Sequence, residues 1–175
     1  MIEIRGIDAA HGADARLKNE AFRLWGRVIP AMKDGTWSWR VEPLPEPREE
    51  CYPDEAYDPG AEDAVFLGAY EEGSCVGLAV LRREMFRYLY LEDLKVRAAS
   101  RGKGVGGQLI EACMAEAARQ GLRGVYTVGQ DDNASACLFY LAHGFAIGGF
   151  DNRSYGGTSQ AGRANLFFYR DCDTV

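Results

Sequence analysis

The sequence predicts an α/β fold of the α+β kind: one mixed, mostly antiparallel sheet of about six to seven strands, flanked by helices. Three observations predict it. Residues 64–96 contain three successive β-type runs separated by short turns. Residues 104–150 then alternate helical and strand patterns. A length of 175 residues suits one domain with a continuous core, so both patterns belong to a single layered structure spanning residues 1–175.

The elements follow in order. Residues 1–7 read as a first strand. Leu17, Ala21, Leu24, Trp25 and Val28 recur at helical spacing, which predicts a helix over 13–28 closed by Pro30. Residues 42–63 are acidic and carry Pro43, Pro45, Pro47, Pro53 and Pro59, which predicts a long loop rather than a helix or central strand. Residues 64–70 and 75–81 flank a turn signal at 71–74, and 87–96 is a third strand. Val105, Leu109, Cys113 and Ala117 make one stripe of a helix over 104–120, with Gly121 as its stop. A strand at 125–128, a helix at 134–143 opened by Asp132 or Asn133, and strands at 145–150 and 165–169 complete the chain.

Composition narrows the function. A net charge of −6 speaks against nucleic acid, which needs a basic face, and suits a cationic partner better. No run approaches the ~20 apolar residues of a membrane span, and residues 1–5 do not open a secretory signal, so the expected location is the cytoplasm. Five widely spaced cysteines, without a C-x-x-C pair, and two histidines suggest neither a disulfide framework nor a metal site.

The segment Arg101-Gly102-Lys103-Gly104-Val105-Gly106-Gly107 follows a strand and opens a helix. Backbone N–H groups and the positive helix end converge there, which makes an anion site. A P-loop would need a hydroxyl after Gly102-Lys103, and Gly104 occupies that position. Gly102, Gly104 and Gly107 satisfy a dinucleotide fingerprint, yet the acidic ribose-binding residue expected about 20 positions on is missing around Thr127. Arg101, Gly104 and Gly106 satisfy a third pattern, R-x-x-G-x-G.

With that pattern the chain resembles the GNAT superfamily of N-acetyltransferases. The resemblance extends to Leu94-Lys95-Val96, to Asn133 at a helix start, and to Phe139-Tyr140-Leu141-Ala142-His143-Gly144-Phe145, so that it covers about residues 64–150. It implies acetyl-CoA as cofactor, with a binding core at about 86–150. The implied contacts are Leu94, Lys95, Val96, the loop Arg101 to Gly107, Asn133, Ala136 and Tyr140. It also implies that a backbone N–H near Leu94–Val96 meets the thioester carbonyl and that Tyr140 protonates the leaving sulfur.

Amine acetylation needs a base, because a lysine-like amine has a pKa of about 10.4 and is almost wholly protonated at neutral pH. Glu92 is the candidate, sharing a strand face with Leu94 by period-2 alternation. Asp93 faces the other way unless a bulge exchanges the two, and a water-mediated route stays open.

The acceptor is read from two features. The acidic stretch, interspersed with Trp37, Trp39, Tyr52 and Tyr57, suits a polycation, although it also reads as an ordinary solvated loop. The runs 90–96, 130–140, 144–151 and 166–169 resemble the streptothricin acetyltransferases, which act on the β-lysine amine of a cationic antibiotic. That resemblance implies a small cationic amine as substrate, with Glu92, Asp93, Trp37 and Tyr155 as acceptor contacts. One position departs: the group usually reads L-E-T-Q-D-N-N, and Val128 replaces its glutamate. Protein or peptide amines, polyamines, a non-catalytic acyl-CoA sensor and a homodimer remain open.

Overall fold

The computed structural model describes residues 1–84 and 86–173. Among the described residues, seven strands form one sheet and two more form a separate ribbon. The chain gathers into two compact units. The first comprises Met1–Glu20, Tyr52–Tyr126 and the residues from Asp171; the second comprises Ala21–Cys51 and Thr127–Arg170. Among the described residues no helix is long and apolar enough to cross a membrane.

In the first unit, β1 (Ile2–Gly6), β4 (Ala64–Glu71), β5 (Ser74–Arg83) and β6 (Tyr88–Val96) pair antiparallel in that order. Glu72 (φ 50°) and Gly73 (φ 80°) turn β4 into β5, a two-residue hairpin with both residues left-handed. Strand β5 is buried almost throughout, as a central strand should be. Helix α1 (Val105–Arg119) lays Val105, Leu109, Ile110, Cys113, Met114 and Ala117 inward. Each large apolar side chain so buried stabilises the fold by ~1.5–3 kcal/mol. Gly77 on β5 permits the approach, since a Cβ there would stand 3.0 Å from Leu109 and 3.2 Å from Val105.

In the second unit, β2 (Phe22–Lys33) and β3 (Thr36–Glu50) form a long antiparallel ribbon. The end of β7 (Gly124–Gln130) leads into α2 (Ala134–Ala142), and β8 (Ala146–Asp151) pairs antiparallel with β9 (Asn165–Asp171). Helix α2 packs on β2 at Gly26, where a Cβ would stand 3.3 Å from that of Ala134.

The ribbon corrects two expectations. The predicted helix over 13–28 is instead one 3-10 turn, Asp14–Arg16, and an irregular stretch that leads into β2. Leu24, Gly26 and Val28 are buried in strict alternation, so the same apolar residues that fit a helical stripe serve a period-2 face. The predicted loop over 42–63 is strand as far as Glu50 and irregular only beyond it. Prolines are tolerated because a two-stranded ribbon has only edges. Pro45 and Pro47 also fall where the register slips, between the pairs Leu24↔Arg48 and Gly26↔Pro43. Asp34 (φ 48°) and Gly35 (φ 76°) close the ribbon as a type I′ turn, a hairpin signal present in the sequence.

Candidate active site

The first unit carries the glycine loop and the two candidate bases. Strand β6 bulges at Glu92: Val80 pairs with Asp93 and Leu81 with Leu91, which leaves Glu92 as the extra residue. A bulge re-aims a side chain and interrupts the alternation on which the choice between Glu92 and Asp93 depended. The two carboxylates have different partners. Glu92 accepts from Arg82 Nε at 2.6 Å, and Arg82 also reaches Asp63 at 3.2 Å. Asp93 lies 2.9 Å from Lys95 Nζ and accepts from the Tyr57 hydroxyl at 3.2 Å.

Tyr57 is therefore not part of a solvated loop. It is buried with Ile7, Phe66, Leu78 and Val80, and its ring meets Phe66 edge-on at 5.8 Å. Burial, reinforced by the Asp93 carboxylate, drives its phenol far above the ordinary value, so it stays a donor. Other parts of the acidic stretch are also tied down: Glu42 accepts from Arg40 at 2.6 Å and Asp54 from the Asn19 amide at 2.7 Å. Trp37, on β3, is half-buried.

Beyond β6, Arg97 N–H donates to Val76 at 2.9 Å and Arg101 Nε donates to the Val96 carbonyl at 3.0 Å, which pins the loop to the strand end. Glu20 accepts from the Ala98 amide and lies 3.8 Å from Arg101. Gly102 (φ 74°) and Gly104 (φ 81°) are left-handed, a conformation that side chains disfavour. Gly104 is the N-cap of the 15-residue α1 and offers no capping side chain. The first-turn N–H groups, from Val105, Gly106 and Gly107, thus suit an external anion, with Lys103 exposed beside them. These features fit a pyrophosphate.

The second unit carries Asn133 and Tyr140. Asn133 caps α2, its Oδ1 accepting from Ala136 N–H at 3.2 Å. Tyr140 is 9% exposed, with its ring edge-on to Phe145 at 5.5 Å and tilted against Phe168 at 5.6 Å. Packing of this kind fixes a hydroxyl in one direction. The Tyr155 hydroxyl donates to Asn165 at 2.8 Å and accepts from Gln130 at 3.0 Å. Val128 is half-buried, on the same face of β7 as Gln130 by alternation.

The turn from β7 into α2 holds residues whose role the sequence reading missed. Asp131 takes Arg27 as partner, and Asp132 takes Arg48 at 2.8 Å and Arg163 at 3.1 Å. Arg163 also pairs with Glu50, which the guanidinium holds below the ordinary carboxylate range. Adjacent aspartates before a helix read as caps; Arg48 and Arg27 lie 84 and 104 positions from their partners and Arg163 lies beyond an intervening strand and loop, outside any local pattern. Burial pushes the thiols of Cys113 and Cys137 up to about 12, which makes them inert.

Comparison with known proteins shows the family. The Acetyltransferase (GNAT) family model matches residues 33–145. The chain is 33% identical over 160 residues to streptothricin acetyltransferase A of Bacillus subtilis (strain 168), covering 89% of this chain and 92% of that protein. A protein of Bacillus anthracis str. Ames, assigned as a streptothricin acetyltransferase and solved in complex with acetyl coenzyme A, is 25% identical with a TM-score of 0.89, covering 98% of this chain and 99% of that one. A nourseothricin acetyltransferase structure shares the fold, with a TM-score of 0.79, 23% identity and 98% coverage of each chain. The chain belongs to the GNAT acetyltransferase family and is an acetyl-CoA-dependent N-acetyltransferase.

Proposed function

We propose that the acceptor is the β-lysine amine of streptothricin or of a close structural relative, and that acetylation there confers resistance from within the cytoplasm. The carrying observation is the extent of the likeness. Identity to the Bacillus subtilis streptothricin acetyltransferase runs over 160 residues, well beyond the 33–145 that match the general family. The likeness therefore includes parts of the chain outside the general cofactor core.

Acetyl-CoA supplies an acetyl group activated as a thioester. In this reading the Arg101–Gly107 loop and the first turn of α1 bind its pyrophosphate. Backbone N–H groups at the end of β6, in Leu94–Val96, donate to the carbonyl oxygen where charge develops. Asn133 and Ala136 present the start of α2 to the cofactor. Glu92 takes the proton from the attacking amine, directly or through water, as the new C–N bond forms. The bulge singles out its side chain, and Arg82 orients it. Tyr140 O–H gives its proton to the sulfur as the C–S bond breaks, so the products are an amide and a free thiol. Asp93, Trp37 and Tyr155 are assigned to the acceptor side.

Thiol release from acetyl-CoA tests this against streptothricin, polyamines, lysine derivatives and peptide amines. Streptothricin giving the highest kcat/KM supports the reading. A polyamine or peptide ahead of it would replace the acceptor while leaving the enzyme class intact. The base is tested separately: Glu92→Gln should abolish the acid limb of the pH–rate profile, and an unchanged limb removes Glu92 from the proton transfer.

A further inference from the structure

The second unit contains an open cavity of about 330 Å³, at the small end of ligand sites, with room for one ring or a short chain. Part of its lining is ionic yet self-compensated. Arg27 is closed on Asp131 and on the Gly162 carbonyl at 3.0 Å, and Arg163 on Glu50 and Asp132. The guanidiniums are thus matched by carboxylates, which leaves little net field to attract either an ammonium or a phosphate. The lining also includes Ile29 and Pro30 of β2, Phe150 of β8 and, just after it, Asn152. Phe150 is 41% exposed, an aromatic face turned to solvent where it can cover a ring.

The lining is also placed tellingly in the sequence. Of the residues around the cavity, Asp131 alone falls inside the 33–145 that match the family model; the others precede or follow it. None belongs to the cofactor motifs at 94–107, 133, 136 and 140. The cavity is built from parts of this chain that the general acetyltransferase pattern does not require.

We infer that this cavity is an acceptor-recognition subsite that takes an uncharged, hydrogen-bonding ring of the substrate, with Phe150 covering its face and Asn152 its polar edge. The inference rests on the reading that the acceptor is a small molecule larger than its reacting amine. It assigns Phe150 and Asn152 as specificity-determining residues and leaves the proton transfers to others.

The test compares kcat/KM for streptothricin with kcat/KM for a minimal amine, β-lysine amide, in the wild type and in Phe150→Ala and Asn152→Ala. Thermal melting checks that the variants fold. The expected result is a fall of about ten-fold or more in the whole-acceptor to minimal-amine ratio, the size of one lost apolar contact or hydrogen bond. Phe150→Tyr, which keeps the ring, should hold the ratio near that of the wild type. A ratio unmoved in both alanine variants overturns the inference. So does a wild type that uses the minimal amine as well as any whole acceptor. If streptothricin is not turned over, the proposed acceptor fails on its own, and the same ratio is measured with the best acceptor of the panel and its minimal amine.

Discussion

In the first unit, Glu92 and Asp93 have side chains 29% and 20% exposed, and among the described residues each pairs with one cation, Arg82 or Lys95. In the second unit, Asp131 and Asp132 are 5% and 1% exposed and are met by three arginines, Arg27, Arg48 and Arg163. The chemistry of the four groups is the same, and the surroundings decide their use. A part-exposed carboxylate with one cationic partner can exchange that partner for another. Buried carboxylates tied to arginines from distant segments instead hold the turn in which they sit. That turn is the one from which Asn133 starts α2.

The largest expected effect breaks the brace. Arg163→Met leaves Glu50 without its main partner and removes one of the two cations on Asp132. Denaturant unfolding should show a loss of ~3 kcal/mol, the upper end of the cost of unmaking hydrogen bonds between charged groups, because Arg48 stays on Asp132. A change under ~1 kcal/mol would mean that the cluster braces nothing. Next comes the packed hydroxyl of the same unit. Tyr140→Phe should lower kcat by about 10²-fold, ~2.7 kcal/mol in the barrier, with the fold intact. Undiminished turnover would return Tyr140 to the role of a core residue.

Smaller effects sharpen the first unit. Gly104→Ala forces a side chain into φ 81°, at ~1–2 kcal/mol, and should raise KM for acetyl-CoA by about ten-fold without altering KM for the acceptor. Equal rises in both would point to general disruption of the loop. The smallest effect is in acid. Arg163, through its hydrogen bond and charge, holds the Glu50 carboxyl below its ordinary value. Glu50 therefore contributes stability above the ordinary carboxylate range and loses it as pH falls through the lowered folded value. Asp131 works against this, since burial raises its carboxyl and favours its protonated form in the fold. Glu50→Gln should flatten the acid-side decline of the melting temperature, and an unchanged decline assigns it to other carboxylates.

Legibility divided along the same line. The first unit was readable because its signals are local: a hairpin turn, a strand end, and glycines that open a helix. The bulge at Glu92 lay beyond reach, since it depends on the register of β6 against β5 rather than on β6 alone. The second unit was misread where one residue set fits two periods. Leu24 and Val28 suit both a helix and a strand, and only the Asp34-Gly35 turn decides for the strand. Pro43, Pro45 and Pro47 excluded a central strand correctly, yet an edge ribbon with a register slip accommodates them. The arginine brace and the cavity behind Phe150 join segments far apart in the chain, and no local pattern announces such a meeting.

The most direct measurement counts acetyl groups. The purified protein is incubated with acetyl-CoA and streptothricin, thiol release is followed, and the product is analysed by tandem mass spectrometry. The expected result is one acetyl on the β-lysine primary amine for each thiol released. Thiol release without an acetylated acceptor, or an acetyl placed elsewhere on the molecule, would contradict the account.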